Sequence, residues 1–598
     1  MNAFGSSRKA LAPAGELASF LPDGQITLPD LHAEDRQLIH ELGELHEQTP
    51  RYYSEETGLY FGGPELAGLA RSRYDVASLS RIEEFLVNHD TLQIPVIEGY
   101  TVNVDGIDRD VTLVAATETS AEGANHGDMS SMVYIRDQVQ AASALMKLYL
   151  LDPDRYGAEG KLGNRLLVSS LHLLSTQAQL RRFDDVIARG PDAGQADWPQ
   201  ISLHFSDLEG EHPNDWRNIQ DTVQMLAHTT LEAIEQGFLD VRELAEDHKT
   251  FLGSVTPFLL AVGFPRYENS GSWEEVAAVR TSVMAIETAL LHKIKSLHHY
   301  PSMRFLADGY ERGKPQTASG SFRETVDTLL QNGLHELGRR LPFESPEYPA
   351  GSVKHRQADA ALAYVLRYGI PQLLAGHRTP MAYNNGEPMQ ASAIEDLVLA
   401  QITSLQDPAT RGIVRYEDDS YQRVNFHTAA VQAIVKAIKQ KVRADARNTH
   451  TEVNLDEKQA LRHRFTPEGA PAAWTHPLGQ LASWAACRSI DAQHASDTAA
   501  ATRYQALGAA FLTDMLSTIT GEHDWQAAQD SDGNYRIKQA PAHKLPECYV
   551  TYAADGRTFT VPSPHTPLNW STAMLREAVG MFHASLSSGA KKSSPAPQ

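Results

Sequence analysis

From about Tyr134 onward the chain is built of long amphipathic segments, with apolar residues at helical spacing between loops rich in Gly, Pro, Asp and Asn. This period predicts helices near 135–151, 164–183, 217–236, 240–261, 275–297, 322–340, 356–375, 391–404, 426–443, 476–490, 497–519 and 568–586. About a dozen helices with few strands between them is what an all-α toroid of paired helices requires, each pair burying its apolar stripes against its neighbours. Loops near 190–199, 306–320, 341–351 and 521–544 are long enough to build one face of such a barrel.

The first part of the chain has a different texture. Short helical patches such as Arg36 to His46 alternate with extended runs, and Ile94 to Ile107 followed by Val111 to Val114 reads as a β-hairpin around Asp105-Gly106. The expected organisation is a small mixed cap over 1–125, a helical domain over 126–587 and a disordered tail over 588–598, the Ser-, Ala-, Lys- and Pro-rich stretch beginning at Ser585.

Composition narrows the classes. With 42% hydrophobic and 21% charged residues in 598, the bulk is ordinary globular protein. A formal charge of -22 argues against a general nucleic-acid binder, which needs clustered Lys and Arg facing phosphate. A neutral ligand is compatible with it. Cys487 and Cys548 stand far apart, so neither a disulfide framework nor a four-cysteine zinc site is expected, and a reducing cytoplasm is the natural setting. The start carries Arg8 and Lys9, but the apolar run after them is broken by Pro13, Gly15, Glu16 and Pro22, too weak for a signal peptide. No run reaches the roughly 18 apolar residues of a membrane helix.

His40-Glu41 and His46-Glu47 lack the His-Glu-x-x-His spacing of a zinc protease, and His298-His299 have no ligand partners at convincing spacing. No phosphate-binding glycine loop occurs, so no metal, nucleotide or other cofactor is expected.

The chemistry-bearing segments follow one another at wide spacing: Tyr134-Ile135-Arg136-Asp137; Asp215-Trp216-Arg217-Asn218-Ile219-Gln220-Asp221; Gly271-Ser272-Trp273-Glu274-Glu275-Val276; Arg415-Tyr416-Glu417-Asp418-Asp419-Ser420-Tyr421; Leu545-Pro546-Glu547; and Thr566-Pro567-Leu568-Asn569-Trp570-Ser571. Glycoside hydrolysis needs one protonated carboxyl to donate to the leaving oxygen and one ionised carboxyl to activate water or attack carbon. Glu274 and Glu547 are the candidates. Each residue also has a plainer reading: Glu274 and Glu275 as an acidic helix start, Asp137 as a helix cap beside a surface arginine, Arg415 to Asp419 as a solvated loop, and Trp216 and Trp570 as packing anchors.

Taken in order, the segments resemble the glucoamylase family, glycoside hydrolase family 15, over roughly residues 130 to 587. The resemblance implies a toroid of six helix pairs with the active site at one end. It implies that Glu274 is the general acid and Glu547 the general base, acting with inversion, so that their carboxyl groups stand about 6.5–9.5 Å apart. Arg136, Asp137, Arg415 and Asp419, with Glu275, would hold hydroxyls of the terminal glucose, and Trp216, Trp273 and Trp570 would line the site with rings. The expected partner is an α-glucan or oligosaccharide, cleaved from its non-reducing end.

The chain departs from the family at Met132-Val133-Tyr134-Ile135 and at Gln422-Arg423-Val424-Asn425-Phe426, where tryptophans are usual, and Cys548 replaces the usual Gln after the base. A hydrolase of trehalose is one alternative. Another is a non-hydrolytic glucan-binding or regulatory protein, because Ser282 to Leu291 and Arg304 to Tyr310 are similar to the helical domain of phosphorylase kinase α and β subunits.

Overall fold

A computed structural model describes residues 28–117, 132–190, 198–211, 220–273, 277–315, 318–350, 352, 354–378, 380–417, 419, 471–529, 535–554 and 557–591. Its N-terminal part comprises α1 (Leu28–Glu47), the hairpin β1 (Tyr52–Ser54) and β2 (Leu59–Phe61), α2 (Pro64–Leu69), α3 (Val76–Asn88) and the hairpin β3 (Ile97–Val104) and β4 (Ile107–Leu113). Asp105 and Gly106 turn that second hairpin with φ of 55° and 72°, the left-handed pair a two-residue turn needs. Asp105 also accepts hydrogen bonds from the backbone N–H groups of Glu246 and Asp247, both at 2.8 Å, so the hairpin tip satisfies orphan donors of a helix far along the chain.

The remainder runs β5 (Met132–Tyr134), α4 (Ile135–Leu151), α5 (Gly157–Leu174), α6 (Gln177–Arg189), β6 (Ser202–His204), α7 (Gln220–Glu235), α8 (Glu246–Val262), α9 (Thr281–Leu297), α10 (Arg304–Gly313), α11 (Phe322–Arg340), α12 (Ala363–Arg367), α13 (Ile370–Leu374), α14 (Ala391–Thr403), β7 (Ile413–Val414), β8 (Ala473–Trp474), α15 (His476–His494), α16 (Thr498–Ser517), the hairpin β9 (Trp525–Gln529) and β10 (Tyr535–Gln539), β11 (Cys548–Ala554), β12 (Arg557–Pro562) and α17 (Asn569–Lys591).

Six of these helices close a ring. α4 packs on α7, α7 on α9, α9 on α12, α12 on α15, α15 on α17, and α17 back on α4. Outside them α5 covers α4, α11 covers α9, α14 covers α12 and α16 covers α15, while α8 packs between α6 and α10. The fold is thus the all-α toroid expected from the sequence period. The inner helices are buried around much of their circumference: in α4 every residue from Ile135 to Met146 is buried, as is every residue of α9 from Thr281 to Leu291. Some of their buried polar groups tie one element to the next. Gln138 of α4 accepts from Val114 N–H at 3.0 Å and donates to the Ser170 hydroxyl at 3.1 Å.

Several helix limits differ from the sequence reading, each for a local reason. The segment predicted at 164–183 is two helices, because Thr176 interrupts the first and its hydroxyl caps the second through Gln179 N–H. The segment at 356–375 shrinks to α12 and α13, broken where Gly369 adopts φ 68° ahead of Pro371. Part of the loop expected at 306–320 is α10, whose Gly309 meets Gly253 of α8 so closely that a Cβ on Gly309 would lie 2.5 Å from the Gly253 Cα. The loop at 521–544 contains the β9–β10 hairpin. α17 runs to Lys591, past the expected tail start: Ser585 is buried and its carbonyl accepts from Gln493 Nε2 at 2.7 Å. The helix expected at 426–443 lies outside the described residues. Among those described, no helix is long and apolar enough to cross a membrane.

Candidate functional site

One end of the ring gathers the first turns of the inner helices. Arg136 and Asp137 open α4, Asp221 opens α7, Thr281 and Ser282 open α9, His476 opens α15 and Trp570 opens α17. Their contacts show that these ends meet. Arg136 Nη1 lies 3.6 Å from Asp221 Oδ2, the Ser272 hydroxyl donates to the same oxygen at 3.0 Å, and the Arg136 guanidinium sits 5.3 Å from the Trp570 ring. Trp570 stacks on His476 with ring centres 3.8 Å apart, and the Thr475 and Ser571 hydroxyls are 2.8 Å apart beside them.

A small antiparallel sheet stitches the distant loops to this end. Trp474 of β8 pairs with Ile413 of β7 on one side and Cys548 of β11 on the other. Arg415 follows β7 directly and Glu547 directly precedes β11, so a register of three short strands brings together residues more than a hundred positions apart. Glu547 is 4% exposed, and its backbone N–H donates to the His565 carbonyl at 2.9 Å.

Arg415 is 2% exposed. It clamps Asp419 with Nε to Oδ2 at 2.7 Å and Nη2 to Oδ1 at 2.5 Å, a bidentate pair. Its guanidinium carbon lies 5.5 Å from the Trp273 ring, 5.4 Å from Tyr416 and 5.6 Å from Trp474, distances at which a cation is attracted to the ring faces. Trp273 and Trp474 stand 5.4 Å apart. Trp273 is fixed at its polar end as well, donating from Nε1 to Asp359 Oδ1 at 2.7 Å, while Arg356 Nη1 holds the other Asp359 oxygen at 3.1 Å.

The titratable groups around this cluster are displaced by burial. Glu344 accepts from the Ser282 N–H and hydroxyl at 3.0 and 2.6 Å. Burial, with Asp359 nearby, pushes it up to about 7. Burial also raises Glu287 to about 8, against the opposing effect of the Tyr267 hydroxyl bonded to it. His476 is held well below the usual imidazole value by burial and by Arg136, so its ring is neutral. Burial and the Glu547 carboxylate raise the Cys548 thiol.

Of the residues expected from the sequence, the structure brings Arg136, Asp137, Trp273, Arg415, Asp419, Glu547 and Trp570 to this end, all buried. Trp216, Glu274 and Glu275 lie outside the described residues. Sequence reasoning missed Trp474, His476, Asp359, Arg356, Asp221 and Glu344. Ala473-Trp474-Thr475-His476-Pro477 carried a signal: a tryptophan just before a helix with Pro in its first turn. Asp359 and Glu344 carried none, since only the folded chain sets them beside Trp273 and Ser282. No group of His, Cys, Asp and Glu among the described residues has the arrangement of a metal site.

No family model matches the chain, and no curated protein matches it in sequence. Solved structures do resemble it. A glycosidase variant is 13% identical, over 86% of this chain and 99% of its own, with a TM-score of 0.45. The glucoamylase of Saccharomycopsis fibuligera is 13% identical over 85% of this chain and 96% of its own, TM-score 0.45. The glucoamylase of Hormoconis resinae is 10% identical over 88% and 76%, TM-score 0.42. Likeness at this level assigns neither substrate nor mechanism.

Proposed function

We propose that this chain is a glycoside hydrolase that releases glucose from the non-reducing ends of α-glucans or maltooligosaccharides with inversion. The observation that carries the reading is the convergence of Arg415–Asp419, Trp273, Trp474 and Glu547 on the end of the ring where Arg136, Asp137 and Trp570 open their helices. Guanidinium and carboxylate groups set among ring faces suit a neutral polyhydroxylated ligand: the ionic groups bond hydroxyls, and the indoles cover the CH faces of a sugar.

In this reading Glu274, bonded in sequence to Trp273, donates its proton to the glycosidic oxygen. Glu547 takes a proton from water as that water attacks the anomeric carbon from the opposite face. Arg136, Asp137, Glu275, Arg415 and Asp419 hold hydroxyls, while Trp216, Trp273 and Trp570 exclude water. Acid and base must differ in protonation state, so the rate should follow a bell-shaped pH profile. No cofactor takes part.

The test is incubation with maltooligosaccharides, starch, isomaltose and trehalose, following released glucose and its first anomer by NMR. Initial β-glucose is expected, with Glu274→Gln and Glu547→Gln each lowering kcat by about 10²–10⁴. Turnover unaffected by Glu547→Gln would remove the base. Glucan binding without turnover would replace the hydrolase by a binding or regulatory protein.

A further inference from the structure

The β1–β2 hairpin carries two tyrosines on its outer face. Tyr53 and Tyr60 are cross-strand partners, 55% and 62% exposed, with ring centres 5.1 Å apart and planes inclined by 53°. Ser54 and Phe61 are buried on the opposite face, and Tyr52 and Leu59 are half-buried there. The hairpin therefore presents its outward rings from a packed base.

That base is tied to the candidate site. Gly62 lies so close to the backbone of Gly521 that a Cβ on it would stand 2.4 Å from the Gly521 nitrogen. Arg51 pairs with Asp524 at 2.7 Å, and the Thr49 hydroxyl donates to the His523 carbonyl at 3.0 Å. The turn at 518–524 follows the C-terminus of α16, which packs beside α15. α15 starts at the site with His476, and α16 returns from its far end, so this turn lies at the site end of the ring. It is bonded in turn to the segments on either side of Glu547, through Thr520 N–H to the Lys544 carbonyl at 3.0 Å and the Tyr549 hydroxyl to the Thr518 carbonyl at 3.1 Å.

We propose that Tyr53 and Tyr60 form a surface binding platform for an α-glucan chain, holding polymer at the site end of the ring outside the catalytic pocket. Two adjacent tilted rings match the CH faces of consecutive pyranoses, and their hydroxyls add polar contacts at the rim. Exposed Glu55 and Glu56 lie in the turn of this hairpin, exposed Glu65 opens α2 just after it, and the whole chain carries -22, which disfavours a polyanion and leaves a neutral polymer as the matching ligand. The proposal rests on the glucan reading above for its ligand class, but not on catalysis.

The experiment is affinity electrophoresis in amylopectin, run in a Glu547→Gln background so that the polymer stays intact. It compares that parent with Tyr53→Thr/Tyr60→Thr, which keeps strand-forming residues, and with Tyr53→Phe/Tyr60→Phe, which keeps the rings. Maltotriose hydrolysis is measured on the same tyrosine variants with Glu547 restored. Roughly ten-fold weaker amylopectin retention is expected for the Thr pair, near-parental retention for the Phe pair, and unchanged melting temperature and maltotriose turnover for both. Retention by the Thr pair equal to the parent, or no retention of the parent, overturns the platform whatever happens with maltotriose. A Thr pair that alters sedimentation rather than retention overturns it in favour of a second copy as the occupant. Tyrosine-dependent retention without maltotriose hydrolysis keeps the platform and removes the maltooligosaccharide hydrolase.

Discussion

The Arg415–Asp419 pair separates what stabilises the site from what would make it work. Both side chains are almost fully buried, at 2% and 0% exposure. Removing one partner leaves a buried charge without its counter-ion, which costs about 3–5 kcal/mol; replacing both with apolar groups of similar volume is commonly neutral or stabilising. Arg415→Met and Asp419→Val should each destabilise by about 3–5 kcal/mol, and the double variant should recover most of that loss. Activity should not recover. If Arg415 bonds a sugar hydroxyl in the reaction, losing one charge-assisted hydrogen bond of about 1.5–3 kcal/mol lowers kcat/KM by ~10–160-fold in both Arg415→Met and the double variant. Urea unfolding followed by tryptophan fluorescence reads the first quantity near the pair, since Trp273 and Trp474 lie 5.5 and 5.6 Å from the guanidinium. Initial rates on maltotriose read the second. Additive destabilisation in the double variant would refute the coupling, and an unchanged kcat/KM in Arg415→Met would refute the substrate contact.

Glu577 of α17 is bonded by Arg367 at 2.9 and 2.8 Å, by Lys147 at 3.1 Å and by Ser483 at 2.6 Å; Glu577→Gln should lower stability at pH 7 by about 3–5 kcal/mol in denaturant titration. Arg367 and Lys147 outweigh burial and depress the Glu577 pKa, so its contribution is present above the unfolded value of 4.5 and lost as pH falls below it; the Gln variant should show a flatter acid limb. His172 and His248 share a 2.9 Å hydrogen bond, and burial lowers them to about 4 and about 3. The unfolded chain binds more protons there, so stability is full above 6.5 and lost as pH falls towards 4, and His172→Asn/His248→Leu should reduce that loss in urea midpoints measured across this range. Burial raises the thiol pKa of Cys548 well above its usual value and that of half-buried Cys487 to about 11, so at pH 8 Cys548 should not react with a thiol reagent until the protein is unfolded and Cys487 should react more slowly than it does in the unfolded chain.

The legible part of this fold was the part governed by periodicity. The limits at 135–151 and 322–340 coincide with α4 and α11, because each is one uninterrupted helical run, Ser321 and Glu324 forming a reciprocal cap at the start of the second. Where a single residue broke the helix, as Thr176 and Gly369 do, periodicity ran across the break. α10 was hidden because short, polar-faced helices look like loops, and its defining contact is between two glycines distant in sequence. The site divided in the same way. Arg136, Trp273, Arg415, Glu547 and Trp570 stood out by residue type in short segments, whereas Asp359 and Glu344 acquire their meaning only from partners on other elements.

Why the chemistry-bearing residues should collect at this end follows from the ring itself. Arg136, Asp221, Ser282, His476 and Trp570 belong to the first turns of five of the six inner helices, α12 completing the ring between α9 and α15. Outer helices provide the return paths, so the inner helices run in the same sense and their N-termini share one face. Each N-terminus leaves unpaired N–H groups and carries a partial positive charge. Five N-termini on one rim bring backbone N–H donors to one end of the ring. Carboxyl groups at that rim take such donors, Asp221 from its own helix's Thr222 N–H at 2.9 Å and Glu344 from the Ser282 N–H at 3.0 Å, yet burial still pushes Glu344 up to about 7. Glu287 lies further along α9, where burial raises it to about 8. The same side-chain type therefore titrates according to the cations beside it, burial raising Glu344 and Glu287 while Arg367 and Lys147 depress Glu577 against its burial. A mechanism needing one ionised and one protonated carboxyl has both environments available within a single helical scaffold.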